Sequence, residues 1–355
     1  MGARHGRAGT ARGKDPVMSQ RFDVCNGDAD GLCAAVQWKL HDPRPGALVT
    51  GLKRDIELLD ALRAGAGDEI NVFDIAMCRN ARGLARLLEQ GALVRYFDHH
   101  EPGAIPVHPG LDAHIDVSHT VCTSLLVDRH LDGEQRLWAI VGAYGDNLVD
   151  AADALARDCG LSDEDRAALQ RLGESINYNA YGEDERDVHM LPALLYETLV
   201  RYRDPRRLIE REPVAAELDA LRMCDLTAAH ACRVRWQGEA GSVHVLPSAA
   251  WARRVAGCFA NELALKEPQR AHAVLVTRRD GGYFVSVRAP LAEPDGAHAL
   301  CARFGGGGRA LAAGIDVLPE PELARFIDEF AAYRWCAAQT WKEDADVRSR
   351  AAGRT

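Results

Sequence analysis

The sequence predicts an α/β protein: a mostly parallel sheet with helices on both faces in the N-terminal part, followed by a smaller C-terminal α/β unit. Two observations carry this. Between Phe22 and Phe97, short apolar runs alternate with segments of helical periodicity, and a repeated β-α-β order is joined by crossovers that make its strands parallel. Beyond Leu226 the pattern changes to strand-like runs around one helical segment, which sets the boundary between the two parts between Leu226 and Gly241.

Each element has its own warrant. Phe22 to Cys25 is short and apolar, Leu32 to Leu40 has helical spacing, and Ala47 to Leu52 reads as a strand. Ile56 to Ala64 reads as a helix, Ile70 to Phe73 as a strand, Ala81 to Leu88 as a helix and Leu93 to Phe97 as a strand. The middle of the chain is helical: Thr123 to Leu131, Leu137 to Tyr144 and Ala151 to Ala156 space their apolar residues three and four apart. Charged residues dominate Ser162 to Arg171 and Arg201 to Arg211, and Arg203-Asp204-Pro205 breaks the second stretch. Ser242 to Leu246, Ala273 to Thr277 and Tyr283 to Val287 read as strands, the last two joined by a turn at Arg279-Asp280-Gly281-Gly282, and Trp251 to Leu263 as a helix. The expected organisation is a disordered extension at 1–18, a first domain at 19–228, a linker at 229–240, a second domain at 241–336 and a disordered tail at 337–355.

Composition bounds the function. With 355 residues and 47% hydrophobic content the chain is long enough for two cores. No apolar run approaches the roughly 18 residues of a membrane span, and Met1 to Val17 lacks the apolar stretch of a secretory signal. The ten cysteines form no CxxC pair, and Cys25, Cys33, Cys122, Cys258 and Cys301 lie among apolar neighbours. They read as buried free thiols in a reducing compartment, hence a cytoplasmic protein. A net charge of −9 speaks against a nucleic-acid coat protein. Aromatic content of 6% speaks against an extended stacking track for long single strands. The segment from Arg233 to Asp316 tilts positive, and a basic C-terminal part facing a carboxylate-rich N-terminal part suits a polyanion held against metal.

The chemistry gathers at the ends of the predicted strands. Asn26-Gly27-Asp28-Ala29-Asp30-Gly31, Asp74 and Asp98-His99-His100 each follow a strand, and Gly145-Asp146-Asn147 closes a helical run. Parallel strands bring their C-terminal ends to one edge of the sheet, where ligands bind in open α/β folds. Carboxylates gathered there repel one another unless cations are bound. Oxygen ligands with an imidazole suit Mn²⁺ first and Mg²⁺ second. Taken singly, Asp74 and Asp146 are ordinary turn or cap residues and His99 and His100 ordinary loop residues; the joint pattern is what points to metal-assisted phosphate-ester hydrolysis. The remaining histidines, His114, His130, His244 and His272 among them, read as structural or exposed.

In order along the chain, NGDADG, the isolated Asp of VFDI, FDHH and GDN resemble the four phosphoesterase motifs of the DHH superfamily. Phe304-Gly305-Gly306-Gly307-Gly308-Arg309, followed by Ala312-Ala313-Gly314, is similar to the glycine-rich signature of its DHHA1 substrate domain. The likeness runs from Arg21 to Trp335. It implies two divalent ions, one held by Asn26, Asp28 and Asp74 and the other by Asp30, Asp74, His99 and Asp146, with Asp74 bridging. A hydroxide shared by the ions would attack phosphorus, His100 would face the phosphate, and Asp98 would orient an imidazole. Gly306, Gly307 and Gly308, read as an anion cradle at a helix N-terminus, would bind substrate with Arg288 and Arg309. Two positions depart from the pattern: Asn26 stands where His or Asp is usual, and Arg309 where His is usual.

The expected activity is therefore hydrolysis of phosphodiesters in short oligonucleotides or small linear or cyclic nucleotides. The alternatives are a pyrophosphatase or polyphosphatase, which the glycine-rich signature disfavours, and a non-catalytic nucleotide-binding protein on a partly degenerate site. RNA and DNA, cleavage polarity, and monomer and homodimer are not distinguished.

Overall fold

The computed structural model describes residues 19–335; the segments 1–18 and 337–355, expected to be disordered, lie outside them. The first part opens with β1 (Arg21–Cys25), α1 (Ala29–His41), β2 (Ala47–Val49), β3 (Glu69–Phe73), α2 (Ala81–Glu89), β4 (Leu93–Asp98) and β5 (Leu111–Ile115). These strands form one parallel sheet in the order β2-β1-β3-β4-β5. Alternation along each strand separates two cores. Val24, Ile70, Val72, Val94 and Tyr96 pack with Leu84, Leu87 and Leu88 of α2, while Cys25, Phe73 and Phe97 face the helices on the other side. The register sets Phe73 beside Phe97 and Phe97 beside His114. Their rings stack with centroids 5.8 and 4.6 Å apart, so an aromatic row lies one residue below the polar ends of β3 and β4.

The architecture is the α/β arrangement expected, with three local corrections. Ile56 to Ala64 forms turns instead of a helix, because tertiary partners take the backbone groups a helix would use. Asn80 donates to the Ile56 carbonyl and accepts from the Leu59 N–H, and the Arg86 guanidinium binds the carbonyls of Leu59 and Leu62, each at 2.8 Å. β2 stops at Val49; Leu52 lies in the following loop, where its N–H is bound by Asp55. The strand β5 was not expected, since the polar run Leu-Asp-Ala-His-Ile carries little hydrophobic signal at a half-buried edge.

A helical layer follows: α3 (Thr123–His130), α4 (Arg136–Gly145), α5 (Val149–Asp158), α6 (Asp163–Asn179), α7 (Pro192–Leu199), α8 (Pro205–Arg211) and α9 (Pro213–Ala231). Glycine sets how closely α1, α4 and α6 approach. A Cβ on Gly145 would fall 2.2 Å from Cβ of Ala29, and one on Gly173 would fall 2.3 Å from the Val141 carbonyl oxygen. The C-terminus of α4 thus abuts the N-terminus of α1, which carries Asp146 to the strand-end edge from a helix far along the chain.

The remaining elements are β6 (Val234–Gly238), β7 (Gly241–Leu246), α10 (Ala250–Lys266), β8 (Ala271–Thr277), β9 (Tyr283–Arg288), α11 (Ala297–Ala302), β10 (Gly307–Gly308), β11 (Ala312–Leu318) and α12 (Leu323–Ala332). They build a six-stranded sheet in the order β10-β11-β9-β8-β7-β6. Only β7 and β8 are parallel, joined by the crossover helix α10. The segment 229–240, expected as a linker, holds the end of α9 and all of β6. Arg253 and Arg254 of α10 tie the second sheet to the helical layer, Arg253 binding Asp187 at 2.7 and 2.8 Å and Arg254 binding Asp225 at 2.9 Å.

The glycine run is not at a helix N-terminus. It follows α11, and Gly307 and Gly308 pair with Gly314 and Ala313. A Cβ on Gly306 would lie 2.2 Å from the Gly314 carbonyl oxygen, and Gly308 has a φ of 138°. Glycine is needed here for a tight antiparallel turn, and the Gly306 N–H is already bound to the Cys301 carbonyl. The nine cysteines among the described residues are free, four of them buried, and Cys258 is half-buried. No helix there is long and apolar enough to cross a membrane.

Gly145→Ala is expected to destabilise the protein by about 1–3 kcal/mol through overpacking against Ala29 and Gly173. Urea unfolding checks this through a lower midpoint at an unchanged slope.

Candidate metal centre

Five carboxylates and two imidazoles meet at the C-terminal edge of the parallel sheet, each aimed by its local backbone. Asp28 is the N-cap of α1, its Oδ1 accepting the Gly31 N–H at 3.1 Å. Gly31 has no alternative: a Cβ there would lie 2.4 Å from the Asn26 carbonyl oxygen. Asp30, in the first turn of α1, points at the N-terminus of α3 and accepts from the Thr123 and Ser124 N–H groups, both at 2.7 Å. Asp74 follows β3 in the left-handed region, with φ of 59°, a conformation that Asp tolerates better than most residues. Asp146 closes α4 and is followed by Asn147 at φ of 62°.

His99 is the hub. Its Nδ1 donates to the Val121 carbonyl at 2.9 Å, and Nε2 faces Asp74 Oδ1 at 3.3 Å and Asp30 Oδ2 at 3.9 Å. Thr123 Oγ1 donates to the same Asp74 oxygen at 3.3 Å. One ligand atom from each of Asp30, His99 and Asp146 lies within 4.8 Å of the others, as does one from each of Asp74, His99 and His100. Asp146 Oδ2 is buried and has no hydrogen-bond partner. An aligned imidazole nitrogen, an unpartnered buried carboxylate oxygen and hard oxygen donors fit a divalent ion.

The electrostatics agree. Burial, then the charges of Asp28 and Asp30, push the Asp74 carboxyl well above its ordinary range. Burial likewise raises Asp146, against the pull of His99. Burial alone would lower His99, but its bond to Asp74 and the charges of Asp74, Asp30 and Asp146 carry it up to about 10. A site that draws in a proton so strongly lacks positive charge, which a metal would supply.

His100 is turned differently. Asp98, fully buried, accepts from His100 Nδ1 at 2.7 Å and from the His99 N–H at 2.9 Å, and the His100 side chain is half-exposed. Asn26 is close by, but its Oδ1 accepts from the Asp28 N–H at 3.1 Å and its Nδ2 donates to the Lys53 carbonyl at 3.2 Å.

From the second sheet, Arg309 reaches the centre, its Nη2 3.1 Å from His99 Nδ1. Arg288 pairs in register with Ala312, whose carbonyl accepts the Arg309 N–H, so the two arginines are carried by neighbouring strand positions. Arg288 is held by Asn261 Oδ1, Ser286 Oγ and the Val287 carbonyl, all neutral, and burial lowers its pKa. Gly306, Gly307 and Gly308 shape the hairpin below Arg309, with the Gly306 N–H bound to the Cys301 carbonyl.

Sequence reasoning missed Lys53, whose ammonium is ion-paired to Asp28 Oδ2. A signal was present: Lys53 closes the apolar run Ala47 to Leu52, at the same edge of the sheet as the clusters that were recognised. Thr123 and Val121 were missed because they act through one hydroxyl and main-chain groups, which leave no trace in residue type.

Several solved structures share this fold. The DHH domain of a protein described as a member of a family of ribosomal proteins aligns with a TM-score of 0.60 at 16% identity, over 88% of this chain and 86% of its own. The exonuclease RecJ bound to manganese aligns with a TM-score of 0.54 at 20% identity, over 89% of this chain and 90% of its own. The chain has a DHH-domain fold. RecJ from Thermus thermophilus, in complex with Mn²⁺, aligns at 0.51 and 21% identity over 89% of this chain, which spans 52% of that protein. No family model and no curated protein matches the sequence. In the DHH fold described here, the parallel sheet supplies the acidic edge and the mixed sheet supplies the arginines.

Asp30→Ala is expected to destabilise the metal-free protein by about 1–3 kcal/mol, because two buried N–H groups at the start of α3 lose their acceptor. Thermal unfolding in the presence of a chelator separates this structural role from any role in metal binding.

Proposed function

We propose that the protein is a divalent-metal-dependent phosphodiesterase acting on short oligonucleotides or small nucleotides. The observation that carries this reading is the setting of His99: Nδ1 is committed to Val121, and Nε2 is presented to Asp74 and Asp30, with Asp146 and the cationic Arg309 beside the ring. Binding alone would not require an imidazole preset among three carboxylates, with a guanidinium beside it.

A divalent ion held by Asp30, Asp74, His99 and Asp146 supplies, when bound, a water of lowered pKa and a Lewis acid for the phosphoryl oxygens; Mn²⁺ is the expected ion and Mg²⁺ the second choice. Arg309 holds a non-bridging phosphate oxygen and stabilises the charge that builds there. Arg288, without an acidic partner of its own, holds a second anionic group of the substrate. His100, fixed by Asp98 through Nδ1, donates a proton from Nε2 to the leaving oxygen. Because Arg309 sits directly on the ligand cluster, the gripped anion and the cleaved bond are close together, which favours short substrates over long strands. The net charge of −9 works in the same direction.

The test is Mn²⁺-dependent release of mononucleotide from two- to five-residue RNA and DNA oligomers and from cyclic dinucleotides, with pyrophosphate and polyphosphate in the same panel. Turnover is expected on at least one diester and is abolished in Asp74→Ala. His100→Ala is expected to lower kcat by about 100- to 10,000-fold, the usual contribution of a proton donor. Turnover confined to the phosphoanhydrides, or absent throughout, rejects the reading. Arg309→Ala is expected to raise KM about tenfold or more with a smaller change in kcat, since a hydrogen bond to a charged group contributes about 1.5–3 kcal/mol. Steady-state kinetics on the best diester measures that split.

A further inference from the structure

We infer that Lys53 takes the place of one of the two cations expected at the strand-end edge, so that this chain holds a single divalent ion, at Asp30, Asp74, His99 and Asp146. The inference rests on the metal-dependent reading above. The ligand set expected for the other ion was Asn26, Asp28 and Asp74, and its first two members are engaged elsewhere. Asn26 Oδ1 accepts from the Asp28 N–H and its Nδ2 donates to the Lys53 carbonyl. Turning the amide over would set donor against donor and acceptor against acceptor, so the bonding fixes its orientation. Asp28 has both oxygens committed, Oδ1 to the Gly31 N–H at the start of α1 and Oδ2 to the Lys53 ammonium.

Lys53 is anchored rather than merely nearby. Its N–H donates to the Ala180 carbonyl at 3.0 Å, its own carbonyl accepts from Asn26, and its ammonium lies 5.4 Å from the centroid of the Tyr181 ring. The side chain is only about one-third exposed, with relative exposure of 32%. A doubly charged ion at Asn26 and Asp28 would have to displace this ammonium or sit against it, with a neutral amide as one of its few ligands. Among the described residues, the clusters of three acidic or imidazole side chains close enough to share an ion are Asp30 with His99 and Asp146, and Asp74 with His99 and His100; Asp28 joins neither of them. An ammonium neutralises charge but offers no coordination position, so Lys53 balances Asp28 and leaves water activation to one ion.

The experiment is a Mn²⁺ titration of chelator-stripped protein by equilibrium dialysis with elemental analysis. One ion per chain is expected for the wild type, and none for His99→Ala. In Asn26→Asp combined with Lys53→Met, a second ion is expected, at least about tenfold tighter than any second binding by the wild type once the blocking charge is gone. Lys53→Met alone, with its fold checked by thermal melting, is expected to gain a weaker second ion and serves if the double variant does not fold. Two ions on the wild type, or one ion on every variant that folds, overturns the role given to Lys53 while leaving the metal-dependent reading intact. No ion on the wild type at millimolar Mn²⁺ overturns both.

Discussion

Five carboxylates, those of Asp28, Asp30, Asp74, Asp98 and Asp146, share one edge of a sheet whose next row down is aromatic. Charge held over such a floor is poorly solvated, and like charges so close oppose one another. The surrounding structure answers this residue by residue. Asp28 faces a helix N-terminus and an ammonium; burial raises its pKa, but Lys53 and the Gly31 N–H bring it down to about 2. Asp30 faces a second helix N-terminus, and Asp98 accepts from two histidines through Oδ1 while its buried Oδ2 has no partner. Asp74 and Asp146 are left with the least compensation, and both are driven upward. The unmet demand for positive charge is thereby concentrated on the two groups that flank His99.

Geometry is supplied by small residues and strained ones. Gly27, Gly31, Gly145 and Gly173 sit where a side chain would collide with main chain or a neighbouring helix. Asp74 accepts a left-handed backbone so that its carboxylate turns toward His99 while its N–H still reaches the Phe97 carbonyl at 3.0 Å. The site therefore depends on positions that carry no chemistry of their own.

How far the sequence could be read follows from what kind of information each feature holds. The strands β1, β3 and β4 and the clusters behind them were legible because an apolar run ending in a carboxylate or histidine is a local pattern. The run Ile56 to Ala64 has helical spacing, yet Asn80 and Arg86 claim its backbone groups from a distance, and no periodicity records that. The glycine run was assigned the wrong neighbour: it follows a helix and opens a hairpin, a distinction that rests on pairing with Gly314 and Ala313. Arg309 was recognised as a functional residue, but its arrival at His99 is a long-range contact that only the folded chain displays.

That contact has a consequence for the order in which the protein is made. Arg309 lies 210 positions after His99, and Asp146, last of the carboxylates, also precedes it by a wide margin. In a chain emerging from the ribosome, the residues of the acidic edge are made well before the hairpin bearing the guanidinium exists. Truncated or stalled products therefore carry the acidic half of the apparatus without its grip on an anion, and any chemistry that needs both halves is reserved for completed molecules.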